Sequence, residues 1–155
     1  MRRAGGFTLL EVMIVLVVVG IAAGIAAPKM NAYLARHRVR AALNRLAVDL
    51  AYARAVAVRS GSGAVLRFHP EPECGARATA AYSITLRGAH PGPPRRSSVR
   101  DVGGRVCLLY NGPDSVAFNS RGLLLPFQNR TVWSTEAGLR DSLTISVMGR
   151  VYRRF

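Results

Sequence analysis

Apolar positions fall into two regimes along this chain. From Phe7 to Ala27, "FTLLEVMIVLVVVGIAAGIAA", almost every side chain is apolar and no polar stripe is visible. A run of about 20 such residues makes a helix that crosses the hydrocarbon of a bilayer, and a helix apolar all round needs lipid or other helices on every side. Past Pro28 the pattern becomes amphipathic. Leu43, Leu46, Leu50, Ala53 and Ala57 recur at three- and four-residue steps, which predicts one core-facing stripe on a helix reaching about Arg59. Arg36, Arg38, Arg40, Arg45 and Arg54 occupy its other sides. Pro28 lacks an N–H and crowds the preceding turn, so a kink is expected where the helix leaves the membrane. "SGSG" at 60–63 tolerates left-handed backbone and ends the helix.

From Ala64 the period changes to that of strands. "AVLRFH" (64–69), "AYSITLR" (81–87), "RVCLLY" (105–110), "SVAFN" (115–119), "RTVWST" (130–135) and "DSLTISVM" (141–148) are short runs rich in branched and aromatic residues. Pro, Gly and Asn punctuate them. "RGAHPGPPRRSSVRDVGG" (87–104) has few apolar anchors and reads as an exposed loop. The expected fold class is α+β: a long N-terminal helix, membrane-spanning in its first half, packed on an antiparallel β-sheet head of one sheet or two small ones.

One charge interrupts the apolar run. Glu11 lies near its start, where a carboxylate in hydrocarbon costs about 3 kcal/mol. An ordinary secretory signal accounts for Arg2, Arg3 and "GIAAP" but leaves Glu11 inside the apolar region and Pro28 after the cut. A plain anchor accounts for the length alone. Cleavage between Gly6 and Phe7 accounts for all of it. The new amine of Phe7 then lies one turn from Glu11, and the carboxylate of one subunit can pair with the amine of its neighbour, fixing helix stagger.

"GFTLLEVMIVLVVVGIAAGIAAP" resembles the class III signal of type IV pilins and type II secretion pseudopilins. The resemblance rests on a short basic leader ending at Gly6, then Phe7, then Glu11 as the fifth mature residue, with Pro28 at the family's kink. It implies a leader at 1–6, a transmembrane and filament-core helix at 7–28, an amphipathic helix at 29–60 and a β-rich head at 61–155. It also implies a prepilin peptidase that cuts after Gly6 and methylates Phe7, assembly through Glu11 with other pilins, and no enzymatic activity. The location implied is the bacterial inner membrane, single-pass, with the head in the periplasm and a filament after assembly. "LAVDLAYARAVAVRSGSGAVLRF", "FNSRGLLLP" and "TISVMGRVYRRF" are similar, more loosely, to the minor pseudopilin H/FimT-like branch.

Charge adds a second theme. The chain carries 22 Lys+Arg against 8 Asp+Glu, a formal net charge of +14, and Lys29 is its single lysine. Such a balance attracts polyanions: nucleic acid, anionic lipid or polysaccharide. "RHRVR" (36–40) follows the apolar run closely: contact with inner-membrane lipid headgroups would contribute about 1 kcal/mol per charge, and a solvated helix face is the competing explanation. At the C-terminus, Arg150, Arg153 and Arg154 surround Tyr152. Alternation puts Arg150 and Tyr152 on one face, an arrangement suited to phosphate and base stacking. Some FimT-like minor pilins bind DNA through a C-terminal Gly-Arg-x-Arg element. Gly149 and Arg150 match it, Tyr152 stands at the second Arg position and Arg153 is displaced by one, which reverses its face. A basic edge strand that blocks sheet pairing is the competing explanation.

The remaining chemistry is sparse. Cys74 and Cys107 are expected to pair if the head is exported to an oxidising compartment, and otherwise to be buried thiols. His37, His69 and His90 are scattered without metal-ligand spacing, so no metal or other cofactor is expected. Asp101 and Asp141 accompany no recognisable nucleophile motif, and no catalytic residues are assigned. Asn129-Arg130-Thr131 fits a glycosylation sequon that also reads as a turn. The rival to a filament subunit is a secreted or membrane-tethered polyanion-binding module with an ordinary signal peptide.

Overall fold

A computed structural model of the chain describes residues 8–88 and 93–154. Gly6, Phe7 and His90 lie outside them, as do the side chains of Pro28 and Arg154. One helix, α1 (Leu9–Ser60, 52 residues), is helical through position 28 and contributes to two compact units, residues 1–34 and 35–155.

In the first unit every described side chain from Thr8 to Ile25 is exposed. Apart from Thr8 and Glu11 these residues form an apolar surface on all sides of the helix, exposed among the described residues. The second unit starts where the amphipathic stripe starts. Val39, Ala42, Leu43, Leu46, Leu50, Ala53 and Ala57 are buried, so the three-and-four spacing is a true contact face. Each fully buried leucine contributes roughly 1.5–3 kcal/mol. The helix stops at Ser60, and Gly63 follows at φ 87°, where a Cβ would meet the carbonyl oxygen of Phe118 at 2.8 Å. Glycine is required there both for backbone and for space.

Two five-stranded antiparallel sheets complete the head. The first holds β1 (Ala64–His69), β3 (Ala81–Leu86), β4 (Arg95–Ser98), β6 (Ser115–Phe118) and β7 (Leu124–Leu125), in the order β4-β3-β1-β6-β7. The second holds β2 (Ala78–Thr79), β5 (Cys107–Tyr110), β8 (Arg130–Glu136), β9 (Leu139–Ile145) and β10 (Val151–Arg154), in the order β10-β9-β8-β5-β2. Alternation sends Leu66 and Phe68 of β1, Leu108 and Tyr110 of β5, and Leu143 and Ile145 of β9 inward to meet the α1 stripe in one core. Phe68 and Tyr110 stack at 4.6 Å between ring centroids and so join the two sheets. The Cys74–Cys107 disulfide, with Cα atoms 5.7 Å apart, ties the segment after β1 to the start of β5.

The stretch 87–104 differs from the loop expected of it. Arg95–Ser98 forms edge strand β4, and a 3-10 turn at Val99–Val102 buries Val99 completely. The cause lies on α1. Asp49 is 1% exposed there; it accepts from the Tyr82 hydroxyl at 2.7 Å and pairs with Arg45 and Arg95, each at 3.5 Å. Arg95 also lies over the Tyr52 ring at 4.7 Å. A buried carboxylate needs such partners, and satisfying it draws an arginine-rich segment onto the helix. The two-residue strands β2 and β7 are too short for any alternating pattern to show.

Candidate functional site: the apolar helix and the basic C-terminal edge

The first surface is the start of α1. Thr8 precedes the helix, and its hydroxyl accepts the Glu11 backbone N–H at 3.3 Å. Thr8 and Glu11 thus stand at the spacing of a capping box, with the carboxylate in the first turn where the helix dipole favours negative charge. Sequence reading assigned Glu11 to pairing between subunits and missed this local role, although "TLLE" is its recognisable signal. Around Glu11 and on to Ile25 the helix surface is apolar: Leu9, Leu10, Met13, Leu16, Val17 and Ile21 are each more than half exposed.

The second surface is the C-terminal edge. β10 pairs with β9 in the register Tyr152↔Thr144, Arg153↔Leu143 and Arg154↔Ser142, which places Arg153 opposite a core residue and Tyr152 at an outward position. Arg153 is occupied internally: it donates to Asp141 at 2.6 Å and to Asn44 of α1 at 3.0 Å. Tyr152 is 52% exposed, and Arg150 is exposed just before the strand. Gly149 sits at φ 70°, and a Cβ there would collide with the Gly122 carbonyl oxygen, so the glycine of the Gly-Arg pair has a packing reason of its own.

Arg150 and Tyr152 line an open groove of about 730 Å³ with Ala51, Arg54, Val58 and Arg59 of α1. Arg54 is anchored by donating its Nε–H to the Gly122 carbonyl at 3.1 Å. The groove is therefore apolar-walled with three guanidinium groups on its lining. The sequence showed Arg150 and Tyr152. It did not show that Arg54 and Arg59 join them, since only tertiary packing brings α1 to β10.

Other singled-out residues have structural partners. His69 exchanges a hydrogen bond with Ser83 at 2.8 Å, and Asn129 accepts the Val147 N–H at 3.0 Å. Arg130 is 5% exposed and donates to the carbonyls of Pro113 and Ser115, while burial pushes its pKa below the ordinary arginine value. Among the described residues no cluster of three or more His, Cys, Asp or Glu could hold a metal ion.

Residues 1–27 match the family described as the prokaryotic N-terminal methylation motif. The fold is similar to two crystal forms of the Pseudomonas aeruginosa type IV minor pilin FimU. One matches with a TM-score of 0.58 at 20% identity, covering 74% of this chain and 91% of that one. The other gives 0.59 at 19%, covering 77% and 90%. The solution structure of Escherichia coli GspH matches with a TM-score of 0.54 at 17% identity, covering 78% and 90%. Together these matches show an N-terminal methylation motif on a chain with a pilin-like α+β fold.

Proposed function

We propose that this pilin-family chain is a minor subunit of a type IV pilus or a type II secretion pseudopilus. It is processed after Gly6, methylated on Phe7 and assembled by packing the apolar half of α1 among neighbouring helices. The observation that supports this reading is a helix apolar on every face from Leu9 to Ile25, save for Glu11, and exposed throughout among the described residues. Lipid satisfies that surface before assembly, and equivalent helices satisfy it afterwards. Glu11 then serves twice, as part of the helix start within a subunit and as counter-charge for a neighbour's Phe7 amine.

Sequencing the mature N-terminus tests the reading. A start at methylated Phe7 is expected; a start near Ala27 or Lys29 would replace the filament subunit with a conventionally secreted module. Glu11→Ala should reduce incorporation into filaments severely while the head stays folded. Normal incorporation of that variant would remove the pairing role.

The groove beside Tyr152 supports a second reading, capture of single-stranded DNA. Arg54, Arg59 and Arg150 supply phosphate contacts and Tyr152 a stacking surface. The full chain in neutral-lipid nanodiscs should then bind an oligonucleotide with steep salt dependence, and Arg59→Gln/Arg150→Gln should flatten that slope by about two contacts' worth. An unchanged slope would discard this groove as the site.

A further inference from the structure

A separate pocket of about 250 Å³ lies between α1 and the β9–β10 edge, lined by Arg36, Arg40, Arg140, Asp141 and Arg153. Four guanidinium groups and one carboxylate meet there. The carboxylate is already engaged, since Asp141 accepts from Arg153 at 2.6 Å. Arg36 and Arg40 are one turn apart on α1, both exposed, so two like charges stand side by side at a spacing that costs helix stability. Arg140 is held in place by the Trp133 ring, with its guanidinium carbon 4.7 Å from the centroid. The result is a preformed positive concavity on rigid elements, with arginine forks of the geometry that grips phosphate oxygens.

We propose that this pocket clasps the phosphate of an anionic phospholipid headgroup while the subunit waits in the membrane. The proposal rests on the membrane-anchored state described above. Chain connectivity favours lipid over a soluble phosphate. Arg36 follows the end of the apolar run at Ala27 by so few residues that even fully extended backbone reaches only about 30 Å, so Arg36 stays near the bilayer for as long as the apolar run is anchored in it. A tethered pocket meets headgroups at high effective concentration. Each arginine near an anionic surface adds to the attraction, and the pocket gathers several on one phosphate. Leaving the membrane for a filament would release the lipid, so the clasp favours the waiting state.

Trp133 is the chain's only tryptophan and lies against Arg140, so its emission reads the pocket directly. The full chain is placed in phosphatidylcholine nanodiscs with increasing phosphatidylglycerol, and a photoreactive phosphatidylglycerol is included in a parallel sample. A saturable change in Trp133 emission and labelling of peptides around Arg36–Arg40 and Arg140 are expected. Arg36→Gln/Arg40→Gln should raise the phosphatidylglycerol fraction at half-change about tenfold, whereas Arg96→Gln/Arg121→Gln, which removes equal charge elsewhere, should not move it. Neither emission change nor labelling, in protein retained by the nanodiscs, overturns the clasp and leaves the anchor standing. Failure of the protein to partition into any nanodisc overturns the anchor instead. The same emission change from free glycerol phosphate or from an oligonucleotide, in pure phosphatidylcholine, reassigns the pocket and overturns the lipid.

Discussion

The two halves of α1 are one continuous helix made for opposite surroundings. From Leu9 to Ile25 its side chains are exposed on every face, while from Ala35 to Ala57 a single stripe is buried against two sheets. Both halves are rich in apolar residues. What separates them is arrangement: no stripe in the first, three-and-four spacing in the second. The first half therefore carries no information about how the head folds, and the second carries most of it. The filament subunit proposed above would need that division, because its head must stay intact while everything around the first half changes.

The division breaks most visibly under a charge. Leu46→Asp buries an unpaired carboxylate and should destabilise the head by about 5 kcal/mol or more, while Leu16→Asp should leave head stability unchanged within about 0.5 kcal/mol. Denaturant unfolding of the full chain in detergent, followed by Trp133 fluorescence, measures both. Equal losses would mean that the halves are coupled. The disulfide comes next. Cys74→Ser/Cys107→Ser opens a loop with a sequence separation of 33 residues. The same unfolding measurement should show a loss of about 3–4 kcal/mol on the chain-entropy account, with no effect on membrane partitioning.

The smallest effect is a pH dependence confined to the second half. Burial first, and then the hydrogen bond to Asp49, push the Tyr82 hydroxyl well above the ordinary tyrosine value. Below pH ~10 the folded and unfolded states both hold the proton and Tyr82 contributes its full stability. As pH rises past that value the unfolded state loses its proton first, and head stability should fall by about 1.4 kcal/mol per pH unit from this group. Tyr82→Phe should remove that slope. Persistence of the slope would assign the alkaline loss to another group.

Much of the head was legible because its signals are local. The α1 stripe, the helix stop at "SGSG", and strands such as "AVLRFH" and "RTVWST" depend on spacings of two to four residues and on turn chemistry. The misreading at 87–104 has a non-local cause: a segment poor in apolar residues is ordered by the buried carboxylate of Asp49, far back in the chain. In the basic tail, alternation already separated Arg153 from Arg150 and Tyr152, but the partners of Arg153 are equally non-local. The register with β9 turns it inward to Asp141 and Asn44. The groove and the pocket were invisible because each needs α1 beside β9 or β10.

By itself the sequence determined the methylation motif, the apolar helix with its early carboxylate, the amphipathic stripe and the α+β class. These are encoded in short-range periodicity and in residue types whose cost in lipid or water is independent of fold. Only tertiary structure decided which arginines act together, because guanidinium groups distant in the chain share a pocket only after strand order and register are set. Side-chain chemistry is written residue by residue, and proximity across the chain is a property of packing.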